Sequence, residues 1–304
     1  MTKPIEGLWP ALLMPFQADG QLDMPRTLAH VSRMLAAGSD GVTLFGTTGE
    51  GLAFSVAERK RVLETLLQNG VRPDQIIVTT TACALDEAID LGRHAIAHGV
   101  TRQLYMPPFF FNHPRDAGVV ECVSQVVNGI GSDSLRMLLY HFPSLVNVAF
   151  SHAAIAELVR RHPKQVIGVK DSAGDLEHSL GLVKAFPDLS ILVGSEPHIA
   201  TVMRAGGSGS VNGMSNVAPH LLRRVISSPQ TVSAADEKLI HDLIRLMTVL
   251  PNMPFVSCYK TGLAEQTGDD TWLNVRAPLS KLEAHEEQAV REVYRATNQK
   301  LDTI

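Results

Sequence analysis

Cysteine is scarce in this 304-residue chain, and the three residues present, Cys83, Cys122 and Cys258, are scattered and odd in number. That excludes a disulfide framework or a cysteine-based zinc site and fits reduced thiols inside a cell. Charge of one sign is lacking as well. A formal net charge of −4 with no long run of like charges leaves no electrostatic footprint for nucleic acid or an anionic membrane, so the expected partner is a small molecule. No apolar run is long enough to span a bilayer, and Met1 to Gly7 lacks the apolar core of a signal peptide, so the expected location is cytoplasmic. The 12 histidines include no His-x-His or His-Glu-x-x-His arrangement, so no metal is expected at a strand end. His94 and His98 stand four apart on a predicted helix. On a barrel exterior, a solvated or packed pair is their ordinary reading.

What is present is enough apolar content, 45%, to bury a large core, and disorder is excluded. Leu8 to Phe16 is an apolar run bounded by prolines and reads as a first strand. Further strands are expected at Gly41 to Phe45, Gln75 to Thr80, Arg102 to Met106, Leu135 to Tyr140, Val166 to Lys170, Ser190 to Val193 and Gly209 to Asn212. Helical spacing lies between them, at Met24 to Ala37, Ser55 to Asn69, Leu85 to His98, Asp116 to Ile130, Ser151 to Arg161, Leu176 to Phe186 and His198 to Ala205. Short apolar strands alternating with amphipathic helices require parallel pairing, and this many units in about 220 residues is the scale of a (β/α)8 TIM barrel. A doubly wound sheet is the alternative, although no Gly-x-Gly-x-x-Gly opens its first helix. Helices alone follow Asn216, at Ala218 to Val225, Ala234 to Val249, Phe255 to Glu265 and Glu283 to Ala296. The expected division is a barrel over residues 1–225 and a C-terminal helical extension over residues 226–304, packed on it.

Catalytic groups of such barrels gather at the C-terminal ends of the strands. The second strand runs into Gly46-Thr47-Thr48-Gly49-Glu50, whose hydroxyls and backbone N–H groups suit a carboxylate. The fifth ends at Tyr140-His141-Phe142-Pro143, the sixth at Lys170-Asp171 and the seventh at Gly194-Ser195-Glu196. Each has a bland explanation alone: a plain turn, a packing tyrosine, a strand-end lysine reaching water or pairing with Asp171, a glutamate at a helix start. Converging on one mouth, they describe chemistry. A neutral lysine amine attacks a ketone to form an imine, which acts as an electron sink once protonated, and an apolar barrel interior would lower the amine's pKa. A tyrosine shuttles protons while the threonine loop holds a carboxylate, so the parts fit a 2-oxo acid.

At these residues the chain resembles the class I, Schiff-base-forming lyases and aldolases typified by dihydrodipicolinate synthase and N-acetylneuraminate lyase, over essentially its whole length. Gly46-Thr47-Thr48-Gly49-Glu50 is similar to their pyruvate-carboxylate loop, Tyr140 with Pro143 to their Tyr-x-x-Pro motif, and Gly168-Val169-Lys170-Asp171 to their Schiff-base strand. The resemblance implies an imine on Lys170, Tyr140 as general acid and base, and Thr47 as proton relay. It further implies that Thr48 with Gly46 and Gly49 holds pyruvate and that Val211 lines the pocket. No metal or pyridoxal phosphate is expected, the substrates are a 2-oxo acid and an aldehyde, and the assembly is a homodimer or homotetramer.

Two departures bear on the substrate. Dihydrodipicolinate synthases usually place a tyrosine, contributed across a dimer interface, where this chain has Phe111, and an arginine soon after Tyr-x-x-Pro, where Ser144-Leu145-Val146 offers none. A leucine cannot make the bidentate contact of an arginine with a carboxylate. Phe111 and His141 are therefore expected at the second substrate, His141 only if its ring turns toward the mouth. A pyruvate-dependent aldolase or lyase is the favoured function and dihydrodipicolinate synthase the alternative. A metal-dependent aldolase and a barrel that binds 2-oxo acids without turnover are the readings from other classes.

Overall fold

The computed structural model describes residues 4–248 and 255–301. Eight strands form one parallel sheet: β1 (Gly7–Leu8), β2 (Val42–Leu44), β3 (Ile76–Thr79), β4 (Arg102–Tyr105), β5 (Arg136–His141), β6 (Val166–Asp171), β7 (Ser190–Val193) and β8 (Gly209–Ser210). Their spatial order is β1-β8-β7-β6-β5-β4-β3-β2, and a parallel bridge between Ala11 and Thr43 joins the two ends. The expected TIM barrel is the fold.

The first strand is far shorter than the apolar run that announces it. Pro10 and Pro15 lack the N–H that a ladder needs, so pairing survives only at intervals, with Trp9 and Ala11 donating to the carbonyls of Ser210 and Asn212 at 2.9 Å. Leu12 turns to the other neighbour and donates to Thr43 at 3.0 Å. Gly168 shows how closely β5, β6 and β7 approach. A Cβ there would lie 2.2 Å from the carbonyl oxygen of Ser190 and 2.8 Å from the Leu138 side chain.

The outer layer comprises α1 (Met24–Ala36), α2 (Val56–Gln68), α3 (Leu85–Ala97), α4 (Asp116–Ile130), the short α5 (Pro143–Val146), α6 (His152–Arg161), α7 (Leu176–Ala185), α8 (Ile199–Arg204) and α9 (Pro219–Ser227). α5 was not expected; Pro143 at its first position presets the helical φ. α2 starts on a reciprocal cap, in which Ser55 accepts from Glu58 N at 3.2 Å and donates its own N–H to Glu58 at 2.8 Å. Such a cap contributes about 1 kcal/mol and fixes where the preceding loop must end. Two apolar layers result. Ile77, Leu104, Leu138 and Leu192 belong to the cluster that fills the barrel, while Leu139, Val169, Ile191 and Val193 pack against the helices.

Three helices follow: α10 (Ala234–Thr248), α11 (Phe255–Thr267) and α12 (Ala284–Leu301). Val249, expected to end the first of these, lies outside the described residues. α11 is buried continuously from Val256 to Ala264, an unusual burial for a helix outside the barrel repeat. It brings Tyr259 against Glu196 and Lys260 against Glu50, both in loops that follow barrel strands. No helix among the described residues is long and apolar enough to cross a membrane.

Candidate active site

Register positions the centre of the site. Tyr140 on β5 pairs with Lys170 on β6, and His141 pairs with Asp171. Alternation then sends the two pairs to opposite faces. Lys170 and Tyr140 point into the barrel, 3% and 4% exposed, with the Lys170 Nζ 4.0 Å from the centre of the Tyr140 ring. The Tyr140 hydroxyl lies 3.1 Å from Thr47 Oγ1, within a hydrogen bond in which either oxygen can donate. Thr47, Tyr140 and Lys170 thus form one string across three strand ends.

A cavity of about 220 Å³ surrounds them, lined by Thr47, Thr48, Tyr140, Phe142, Lys170 and Val211, with Ser172, Ser195, Glu196 and Asn212 on its polar side. The bland explanation of Lys170 as a partner of Asp171 fails on geometry. The Asp171 carboxylate faces outward and accepts from His178 Nδ1 at 3.0 Å, Ser179 Oγ at 2.7 Å and Ala173 N at 3.0 Å. Burial opposes its ionisation, yet these hydrogen bonds outweigh burial and hold its carboxyl below the ordinary value.

A second buried lysine makes the contrast. Lys260 is fully buried against Glu50, donates to Asn274 O at 2.7 Å and stacks over Phe16, and burial pushes its pKa down to about 8 against the pull of Glu50. Its amine is committed to a carboxylate. Among the described residues, Lys170 has no carboxylate partner.

The threonine loop is held by its neighbours. Phe45 and Glu50 both adopt the left-handed backbone, at φ 58° and 52°, and the loop closes through Glu50 N to Thr47 O at 3.0 Å and Gly51 N to Gly46 O at 3.1 Å. Glu50 is the anchor, bound by Lys260 and by Arg276 N at 2.8 Å. Thr48 faces the Lys170 cavity as expected. Gly49 lines neither this cavity nor its neighbour. A Cβ there would lie 2.6 Å from Leu12 O, so the residue is needed for close packing of the loop.

A second cavity, of about 300 Å³, shares Thr47 and Tyr140 as a common wall. Gly46 opens onto it, together with Leu52, Thr79, Met106, Leu145, Val146 and residues 276–279. Among the described residues its one cation is engaged elsewhere. Arg276 donates to Gly20 O, Ala53 O and Glu58 and lies over the rings of Phe16 and Phe54. Thr79, 3% exposed, has a hydroxyl with no partner among the described residues.

Besides Gly49, two expected contacts are not brought to the mouth. His141 is turned outward, where its Nδ1 accepts from Phe150 N at 3.0 Å and its ring stacks on His178 with centres 4.4 Å apart. Burial and the neighbouring His178 push its pKa down to about 4. Phe111 is 81% exposed, meets Phe110 edge to face at 5.3 Å, and lines neither cavity.

Other contributors are partly or wholly hidden from local pattern. Glu196 begins a short helical turn as expected of a helix-start acid, but it is buried and accepts from Tyr259 Oη at 3.0 Å and Met214 N at 3.1 Å. Burial raises its pKa despite these donors. Tyr259 and Lys260 come from α11 and Arg276 from the loop before α12, across 63, 210 and 226 residues of chain.

A buried lysine and a tyrosine paired at the mouth of a parallel barrel suit the imine chemistry of a class I carbon–carbon lyase or aldolase, and comparison with known proteins places the chain in that class. The dihydrodipicolinate synthetase family model matches residues 4–297. An uncharacterized DapA-like lyase of Chloroflexus aurantiacus is 33% identical, covering 97% of this chain and 97% of its own. The 4-hydroxy-tetrahydrodipicolinate synthase of Agrobacterium fabrum is 31% identical over 94% of this chain and 96% of its own. The crystal structure of dihydrodipicolinate synthase from Agrobacterium tumefaciens superposes with a TM-score of 0.90 at 32% identity, covering 96% of this chain and 99% of that one. The chain belongs to the dihydrodipicolinate synthetase family.

Proposed function

We propose that Lys170 captures pyruvate or a related 2-oxo acid as an imine and that the enzyme makes or breaks a carbon–carbon bond between that acid and an aldehyde. The observation that carries this reading is the string of a half-buried Thr47, a buried Tyr140 and a buried Lys170 that has no carboxylate partner among the described residues. The amine adds to C2 of the acid, and the carbinolamine loses its oxygen as water. Tyr140 moves the protons for that step and Thr47 relays them, while Thr48 and the adjacent loop backbone hold the carboxylate. Loss of a C3 proton from the protonated imine gives an enamine, whose C3 attacks the aldehyde carbon. Water then releases the product and restores the amine. The imine itself is the electron sink, so the reaction calls for neither a metal nor pyridoxal phosphate.

Pyruvate with borohydride tests this reading: reduction should fix a stable adduct that maps to Lys170. No adduct, or one on Lys260, would remove the central claim. An adduct without turnover over a panel of aldehydes favours a binder of 2-oxo acids.

A second reading, 4-hydroxy-tetrahydrodipicolinate synthase, is favoured by the likeness to the Agrobacterium synthases. Leu145 and Phe111 stand against it, because neither supplies the arginine or the tyrosine hydroxyl usual in such synthases. Condensation of pyruvate with aspartate semialdehyde decides between them. The cytoplasm as location and a homodimer or homotetramer as assembly belong to the same reading, with no nucleic acid or membrane partner. The near-neutral charge balance and the exposed Phe110 and Phe111 support it, and sedimentation showing only monomer would remove the oligomer.

A further inference from the structure

We propose that Glu64, His94 and His98 form a binding site for a late first-row divalent metal, zinc, copper or nickel, that clamps α2 to α3. The two histidines stand one helical turn apart. The third donor comes from the neighbouring helix, and only folding reveals it. One ligand atom from each residue lies within 4.8 Å of the other two, and His94 Nε2 is already 2.8 Å from Glu64 Oε1.

The outer contacts are those of a ligand set. His98 Nδ1 lies 2.9 Å from the carbonyl of His94, so Nδ1 carries the proton and Nε2 presents a lone pair. Zinc bonds of about 2.0 to 2.1 Å in tetrahedral geometry set donor atoms roughly 3.3 Å apart, so Glu64 and His94 need to separate by only about half an ångström. His94 gives up its Nε2 proton or moves it to Nδ1, and the ion takes the place of that proton between imidazole and carboxylate. Two imidazoles and one carboxylate suit zinc, copper and nickel better than magnesium or calcium, with water completing the shell. His98 is exposed and His94 half-buried, which leaves the ion a path in and the rings room to adjust.

The other cluster of similar composition serves as a control. His141, Asp171 and His178 also bring donor atoms within 4.8 Å, but the two rings are stacked at 15° with centres 4.4 Å apart. Lone pairs lie in the ring planes, so those of two nearly parallel rings do not converge on one ion. His141 Nδ1 is moreover occupied by Phe150 N. His94 and His98 are tilted by 41°.

The site lies where α3 ends, and helices of a βα barrel end at the face opposite the catalytic mouth. An ion pair, Lys60 with Asp90 at 2.6 Å, already joins the same two helices. The metal therefore acts on stability and leaves the mouth chemistry alone.

Competition with a chromophoric chelator on the full-length protein tests the proposal. Zinc should bind one per chain and raise the melting temperature, and His98→Ala and Glu64→Gln should each weaken binding by about tenfold or more, the scale that even supporting groups command. His178→Asn should leave the affinity unchanged. Because His98 and Glu64 are surface residues, both variants should melt like the wild type when zinc is withheld. Absence of stoichiometric binding up to millimolar zinc, or binding insensitive to His98 and Glu64, overturns the site.

Discussion

Lys170 and Tyr140 occupy the same rung of adjacent parallel strands, so the amine and the ring face each other by register and not by loop conformation. Removing the hydroxyl alone should therefore spare the capture geometry and slow the proton transfers. Tyr140→Phe is expected to lower kcat by roughly 10²- to 10⁴-fold, the usual weight of a positioned acid–base group. Thr47→Val should cost less, because Tyr140 retains its place. Time courses of borohydride trapping alongside kcat check this, and a Tyr140→Phe enzyme of normal kcat would exclude the proton shuttle.

The buried pair of Lys260 and Glu50 ties the C-terminal helix α11 to the threonine loop. Truncating either partner strands a buried charge. Lys260→Met and Glu50→Gln should each destabilise the protein by about 3 to 5 kcal/mol, and the double variant by clearly less than their sum. Both single variants should also raise KM for the 2-oxo acid, since Thr47 and Thr48 lose their anchor. Urea unfolding with steady-state kinetics measures both effects, and strict additivity would show that the pair acts as two independent groups.

These two relationships differ in how far the sequence announces them. Lys170, Tyr140 and the threonine loop each end a strand of legible pattern, so the barrel and the centre of its mouth follow from alternation and register. The direction of His141 does not follow, because it depends on which parity of β5 faces inward, and that is fixed by packing of Leu138 and Tyr140 inside the barrel. Phe111 sits in a segment with no periodicity, between β4 and α4, and the described chain leaves it exposed. Tyr259 reaches the site across 63 residues and Lys260 and Arg276 across more than 200, and no local pattern encodes such contacts. Pro10 and Pro15 truncate the first strand for a reason visible in the sequence, the missing ladder donors.

Two buried histidines give the protein an acid-labile core. Burial, with Arg33 nearby, pushes His30 down to about 3, and burial with His178 pushes His141 down to about 4. Both bind fewer protons folded than unfolded between those values and the ordinary 6.5. Their contribution is therefore fully present above about pH 6.5 and lost as pH falls toward 4 and 3, up to roughly 3 to 5 kcal/mol each. His178, raised by its hydrogen bond to Asp171, works in the opposite sense, its stabilisation fading as pH rises through the raised value. Urea midpoints measured from pH 7.5 to 4 should fall with acidification, and His30→Asn should flatten the slope. A flat profile would mean that these rings are solvated when protonated.

Among the described residues the second cavity offers no free cation to an aldehyde that bears a carboxylate, because Arg276 is bound to Glu58 and two carbonyls and Leu145 stands at the rim, 48% exposed. Neutral aldehydes should accordingly be turned over with higher kcat/KM than aspartate semialdehyde. Leu145→Arg places a guanidinium at that rim without disturbing packed core. A hydrogen bond to a charged group contributes about 1.5 to 3 kcal/mol, so the variant should raise kcat/KM for aspartate semialdehyde by roughly 10- to 100-fold and leave neutral aldehydes nearly unchanged. Parallel kinetics on both aldehydes decide the matter. An equal response to the two would show that the second substrate does not enter this cavity, and preference of the unaltered enzyme for aspartate semialdehyde would restore the synthase reading.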